Sequence, residues 1–152
     1  MSIIRWLWLG IVVLGPAGGA WADQNAAFIE QIGNDNEALA DQGGDRNLTD
    51  ILQVGDGNLA DVRPGGDDNE ALIDQNGSDN ETVVDQDNRN LADILQTGDD
   101  NLADISQGGN DNQALVDQNG NGNEALVDQT GNFNLADILQ DSNGNFASVA
   151  QD

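Results

Sequence analysis

The side chains with chemistry to offer in this chain are almost all carboxylates: Asp and Glu number 28 against 4 Lys plus Arg, a net charge of −24. Carboxylate oxygens suit hard cations such as calcium, and paired carboxyl groups suit acid–base work. Asp67-Asp68 and Asp99-Asp100 offer ligands of the first kind. Asp117, Asn119, Asn121 and Gly122, with Asp128 at the twelfth place, imitate a calcium-binding loop that normally closes on Glu. Thiol and imidazole chemistry is excluded, because Cys and His are absent. With no Lys and four Arg there is no basic surface for a phosphate backbone, so nucleic acid is not a partner. Carboxylate pairs recur along the whole chain, so none stands out as an acid–base pair. The expectation is a protein that is not an enzyme, with no cofactor and no small-molecule substrate.

The elements that carry these acids are set by a repeat. Asn stands at 25, 36, 47, 58, 69, 80, 90, 101, 112, 123, 134 and 145, a spacing of eleven with one ten after Asn80. Counting each Asn as position 1, position 3 is Ala in ten units and Thr in two, Thr49 and Thr82. Position 5 is Ile or Val except at Ala40, position 7 is Gln except at Pro64, and position 9 is Gly except at Asn88 and Ser142. The whole of 23–152 is one array of twelve 11-residue units.

Each unit reads as a strand of about seven residues followed by a turn of Gly, Asp and Asn. Positions 2, 4 and 6 come in two flavours, Leu-Asp-Leu as at Leu91, Asp93 and Leu95, and Glu-Leu-Asp as at Glu124, Leu126 and Asp128. Burying either would put carboxylates in a dry interior at several kcal/mol each, so the odd positions face inward. A helical reading fails on the recurrent glycine, at about 1 kcal/mol each, and on segments too short for a stable helix. The expected fold is all-β: a β-solenoid with two strands per 22-residue coil, about six coils, stacked in cross-β fashion. Inward amides would then ladder on their own kind above and below. The candidate ladder is Asn25, Asn36, Asn47, Asn58, Asn69, Asn80, Asn90, Asn101, Asn112, Asn123, Asn134 and Asn145, with Gln31, Gln42, Gln53, Gln75, Gln86, Gln96, Gln107, Gln118, Gln129, Gln140 and Gln151.

The two flavours alternate in pairs of units, giving a higher period of about 44 residues. In a two-strand coil, each sheet then places Leu next to Asp from coil to coil. Like carboxylates are held about 9.6 Å apart rather than about 4.8 Å, near the Debye length at physiological salt.

Residues 1–22 differ from all that follows: Arg5, an apolar run Trp6–Leu14, Gly15-Pro16, and an exit at Ala20-Trp21-Ala22. This is the pattern of a secretory signal peptide cleaved after Ala22, too short in its apolar run for a membrane span. The remainder keeps three arginines and all 28 acids, a net of −25. A full unit begins two residues after the cleavage site and the last one runs to Asp152. Both end strands are therefore expected to offer unpaired edges for further strands.

The pattern Asn-x-Ala-x-x-x-Gln-x-Gly-x-x-Asn, as at Asn101, Ala103, Gln107, Gly109 and Asn112, resembles the curlin repeat over essentially all of 25–152. The resemblance implies a subunit of curli, the extracellular amyloid fibres of Gram-negative bacteria that scaffold biofilm and mediate adhesion. It implies a homopolymer of end-to-end stacked solenoids, export through a dedicated outer-membrane channel, a nucleating partner subunit, and a fibre core made of the Asn at position 1 and the Gln at position 7. The chain departs from that family in several respects. Every strand opens with Asn, where curlin repeats usually pair a Ser strand with an Asn strand. Its twelve strands exceed the family's common five repeats of two strands, and the family's aromatic residues are nearly absent. No spare segment is expected before the first unit to carry the family's targeting signal for the secretion channel. The competing reading is a secreted acidic calcium-binding β-roll. Such rolls, however, use a nine-residue period, and the loop-like match at Asp117–Asp128 follows from the eleven-residue repeat itself. Pentapeptide solenoids do not fit a period of eleven, and ice-binding solenoids need regular Thr arrays that the sequence lacks.

Overall fold

A computed structural model describes residues 24–152; the segment read as a signal peptide lies outside the described residues. Twelve strands form two parallel six-stranded sheets. The first holds β1 (Ala26–Ile32), β3 (Leu48–Val54), β5 (Glu70–Asn76), β7 (Leu91–Thr97), β9 (Gln113–Asn119) and β11 (Leu135–Asp141). The second holds β2 (Glu37–Ala40), β4 (Leu59–Pro64), β6 (Glu81–Asn88), β8 (Leu102–Asn110), β10 (Glu124–Gln129) and β12 (Phe146–Gln151). Consecutive strands alternate between sheets, and each pairs with the equivalent strand 22 residues on, Ala26 with Leu48 and Leu48 with Glu70. The result is the six-coil, two-strand β-solenoid that the eleven-residue period demands.

Odd positions point inward. Ile51, Ala60, Val62, Ala71, Val84, Ala92, Ile94, Ala103 and Ile105 are fully buried between the sheets. Each buried Ile or Val contributes roughly 1.5–3 kcal/mol, yet Ala on the same face keeps the layer thin. Parallel sheets are normally covered on both faces, but here the even positions face solvent. Register explains how this is tolerated. In the first sheet Asp50, Leu72, Asp93, Leu115 and Asp137 follow one another at position 4. At position 6 the column reads Glu30, Leu52, Asp74, Leu95, Asp117 and Leu139. The second sheet repeats the device at position 2 with Glu37, Leu59, Glu81, Leu102, Glu124 and Phe146. In these columns each carboxylate is in register with an apolar neighbour, so charge is spread while Leu covers the sheet.

The ten-residue spacing after Asn80 is absorbed without loss of strand register. Gln86 still faces Gln107, and the shift falls at the end of β6, where Asn88 faces Asn110. Pro64 has a wider effect. The N–H groups of Asp41 and Gly43 reach forward to the carbonyls of Val62 and Pro64, and the Gly65 N–H reaches forward to Gln86. Ladder alternation therefore assigns position 64 the bond back toward β2, which proline cannot make. β2 is the shortest of the described strands, four residues ending at Ala40.

Candidate functional site

Positions 1 and 7 face the interior of the solenoid, and, Pro64 apart, their amides form columns along its axis. In the first sheet Gln31 donates to Gln53 at 2.7 Å, Gln53 to Gln75 at 2.8 Å, and Gln75 to Gln96 at 2.9 Å. The column continues from Gln96 to Gln118 at 2.9 Å and from Gln118 to Gln140 at 2.8 Å. From Gln53 to Gln140 each Nε2 also donates to a backbone carbonyl of the opposite sheet, as Gln53 does to Glu37 and Gln118 to Leu102, both at 2.9 Å. One side chain thus ties its coil to the next coil and one sheet to the other. A net hydrogen bond of this kind contributes about 1 kcal/mol, whereas a buried amide left unpaired costs about 1–3 kcal/mol.

The column in the second sheet is interrupted. Gln86 donates to Gln107 at 3.0 Å, Gln107 to Gln129 and Gln129 to Gln151 at 2.9 Å. Below Gln86 stands Pro64, which has no amide to offer. The Gln86 Oε1 is left buried and unpartnered. Gln42, one coil further down, keeps the cross-sheet bond to the Ala26 carbonyl at 2.9 Å and donates to the Thr49 hydroxyl at 3.0 Å in place of a glutamine.

The asparagines run in two further columns. Asn25 Oδ1 accepts from the Asn47 N–H and Asn47 Oδ1 from the Asn69 N–H, both at 2.9 Å. Asn69, Asn90, Asn112 and Asn134 extend that column. The other begins with Asn36 accepting from Asn58 at 3.0 Å and passes through Asn80, Asn101, Asn123 and Asn145. Most of these Nδ2 groups also donate to the carbonyl of the following arc, as Asn36 does to Gly55 and Asn101 to Gly120 at 2.8 Å.

Three features of the arcs go beyond what the period reveals. Position 10 forms its own ladder: Asp56 accepts from Asn34 N–H at 2.8 Å, Asp99 from Ser78 N–H at 2.9 Å, and Asn143 from Asn121 N–H at 2.8 Å. Its signal lay in the Asp or Asn at 34, 45, 56, 67, 99, 110, 121, 132 and 143. Position 11 adopts a left-handed backbone, as at Asp35, Arg46, Asp79 and Asp100, with φ between 56° and 60°. In the arcs that follow the second sheet, this position stacks Arg46 on Asp68 and Arg89 on Asp111, two forked ion pairs. The hydrogen bond from Arg46, and then its charge, hold the Asp68 carboxyl below the usual carboxylate range. Arg63, the remaining described arginine, pairs with Asp61. On the outer face of the first sheet Asp74 lies between Leu52 and Leu95, and desolvation pushes its carboxyl upward.

At position 9 the third feature is steric. A Cβ on Gly33 would stand 1.7 Å from the Gly55 carbonyl oxygen, and one on Gly77 would stand 1.9 Å from that of Gly98. Glycine here allows coils to approach, beyond merely turning the chain.

The calcium-loop imitation is not assembled. Asp117 lies on β9 and Asp128 on β10, strands of opposite sheets, so the two cannot share an ion. Of the Asp-rich turns, Asp67 and Asp99 accept backbone N–H groups and Asp68 is paired with Arg46.

Fold and columns together define a repeat protein whose chemistry is structural: amides directed along an axis, under an acidic, apolar-checkered surface. A family model, the curlin associated repeat, matches residues 65–87, 88–120, 98–131 and 120–152. The chain belongs to the curlin-repeat family, and is a structural subunit of the curli type in general. The coils before residue 65 stack in the same register as those the model matches. Searches of curated proteins and of solved structures find no match.

Proposed function

We propose that this chain is exported and assembles into extracellular cross-β fibres by end-to-end stacking of solenoids. Residues 1–22 are its signal peptide and 23–152 its fibre-forming domain. The fibre core is the set of Asn at position 1 and Gln at position 7. The observation that carries the reading is the direction of the glutamine columns: in both sheets every glutamine-to-glutamine bond has its Nε2 donating toward the C-terminal coil. On the outermost described coils, Gln140 then faces outward with an amide hydrogen to give and Gln31 with an oxygen to receive it. Between β11 and the β1 of a second copy, Asp137 falls against Phe28 and Leu139 against Glu30, so the alternation of charge and apolar surface continues. By family, the fibre is curli-like, a biofilm scaffold and adhesive on a Gram-negative surface, exported through an outer-membrane channel and started by a nucleating subunit.

The test is an assembly time course of residues 23–152 in chelator, followed by amyloid dye and fibre diffraction. Reflections near 4.8 Å and about 10 Å, formed without calcium, are expected. Lower pH and added salt should both shorten the lag, because repulsion among carboxylates opposes association. A soluble, disordered monomer that folds only with calcium would overturn the reading.

A further inference from the structure

The last arc of the first sheet breaks the rule that position 9 obeys. Along that column stand Gly33, Gly55, Gly77, Gly98 and Gly120, with φ between 115° and 138°, and then Ser142 with φ 103°. A Cβ on any of these glycines would lie 1.7–2.3 Å from the backbone oxygen of the next coil. Ser142 occupies the same place in its arc: its N–H donates to the Asn119 carbonyl at 2.8 Å, as the Gly120 N–H donates to that of Thr97 at 2.9 Å. It carries a Cβ, directed along the axis to where the carbonyl of a further coil belongs.

Two observations show that the column does not absorb a side chain at no cost. Asn36, Asn58, Asn80 and Asn101 each donate Nδ2 to the position 9 carbonyl of the following arc, at 2.8–3.0 Å. Asn123 is the next in that series, its target is Ser142, and its Nδ2 is buried with no partner. The Ser142 oxygen lies instead 3.2 Å from Asn145 Nδ2. Elsewhere, in the unit that has lost a residue, Asn88 takes the place of position 10, in register with Asn110 and accepting from the Asp67 N–H. Asp87 stands where the position 9 glycine would, its carbonyl accepting from Asn69 Nδ2. The interior of the stack accepts a side chain there by rebuilding the arc.

We propose that Ser142 makes the β11–β12 face the slow-joining face of the stack, so that the first coil of a second copy seats in register only after the 141–144 arc yields. The occupant is a second copy of this chain, because the glutamine columns and the Leu–Asp alternation continue across that joint. This rests on the self-assembly reading above. Removing the Cβ clears the joint and frees the 142 carbonyl to return to Asn123.

The experiment compares wild type, Ser142→Gly and Ser142→Ala in seeded elongation at fixed seed number, with urea unfolding of each monomer to check the fold. Relief of an overpacked contact is expected to make Ser142→Gly elongate about ten-fold faster and unfold at higher urea. Ser142→Ala, which keeps the Cβ and loses the hydroxyl, should elongate like wild type. Fibres from Ser142→Gly alone would support the proposal in its strongest form. Equal rates for all three proteins, with fibres formed, would overturn the proposal and leave the self-assembly reading standing. No fibres from any of them would overturn both.

Discussion

Replacing Pro64 with Gln should mend the interrupted amide column, and its effect can be worked from the gap it fills. The Gln86 Oε1 is buried without a partner, and the position below it holds a ring with no donor. The side-chain amide of the introduced glutamine would reach that oxygen, relieving an unsatisfied acceptor that costs about 1–3 kcal/mol. Its backbone N–H would restore the ladder bond toward β2, contributing about 1 kcal/mol. Against this, an unfolded chain freed of proline gains conformational entropy equivalent to about 0.4–1 kcal/mol. The net is a stabilisation of about 2 kcal/mol. With a urea dependence of about 1.5 kcal/mol per molar, the unfolding midpoint of freshly isolated monomer should rise by roughly 1 M. Far-ultraviolet circular dichroism would follow the transition. Pro64→Ala is the informative control, since it restores the N–H but leaves Gln86 unpaired, and it should shift the midpoint little. If Pro64→Gln is no more stable than Pro64→Ala, the amide column does not stabilise the fold.

Gly77→Ala should abolish folding or cost more than about 3 kcal/mol, because its Cβ would stand 1.9 Å from the Gly98 oxygen. Gly122→Ala, with φ 66° and nothing within 4 Å of the new Cβ, should cost only about 1 kcal/mol by urea unfolding. Leu72→Asp would place a carboxylate between Asp50 and Asp93, and its destabilisation of about 1.5–3 kcal/mol should shrink in molar salt. Asp68→Asn and Asp74→Asn should act in opposite directions with pH. The Asp68 carboxyl is held low, so it stabilises the fold above the ordinary carboxylate range and loses that effect as pH falls through it. Asp74 is pushed up, so its charge penalises the fold at neutral pH and the penalty vanishes as pH falls. Asp68→Asn should therefore weaken, and Asp74→Asn strengthen, the protein at neutral pH alone, as read from unfolding midpoints across pH.

The fold was legible because its cause is periodic. Asn at position 1, Ala at 3, Ile or Val at 5 and Gln at 7 recur on one face of a strand, and the acids at 4 and 6 leave no other face to bury. Alternation of Leu and Asp was legible for the same reason, and the register places Asp50 on Leu72 and Leu72 on Asp93. The arcs were not, because their roles arise only when coils are stacked. Asp56 reads as a solvated turn residue until the Asn34 N–H is found beneath it, and Gly33 reads as a turn former until the Gly55 carbonyl fills the place of its Cβ. Arg46 and Asp68 are separated by 22 residues, and only the coil makes them neighbours. The consequence of Pro64 likewise falls one coil away, on Gln86.

Alternation of the outer columns has a bearing on how so repetitive a chain finds one alignment. Twelve near-identical strands could pair with many wrong partners, since any Asn-x-Ala segment fits any other along the inner face. The outer face acts as a parity check. If β3 skipped β5 and paired with β7, Asp50 would meet Asp93 while Leu48 and Leu52 met Leu91 and Leu95, gathering charge into one column and apolar surface into the others. A misalignment by one coil is therefore penalised at every strand, and a misalignment by two escapes. The information that forbids the nearest error sits on the surface, leaving the interior free to be monotonous enough for its amides to run straight through.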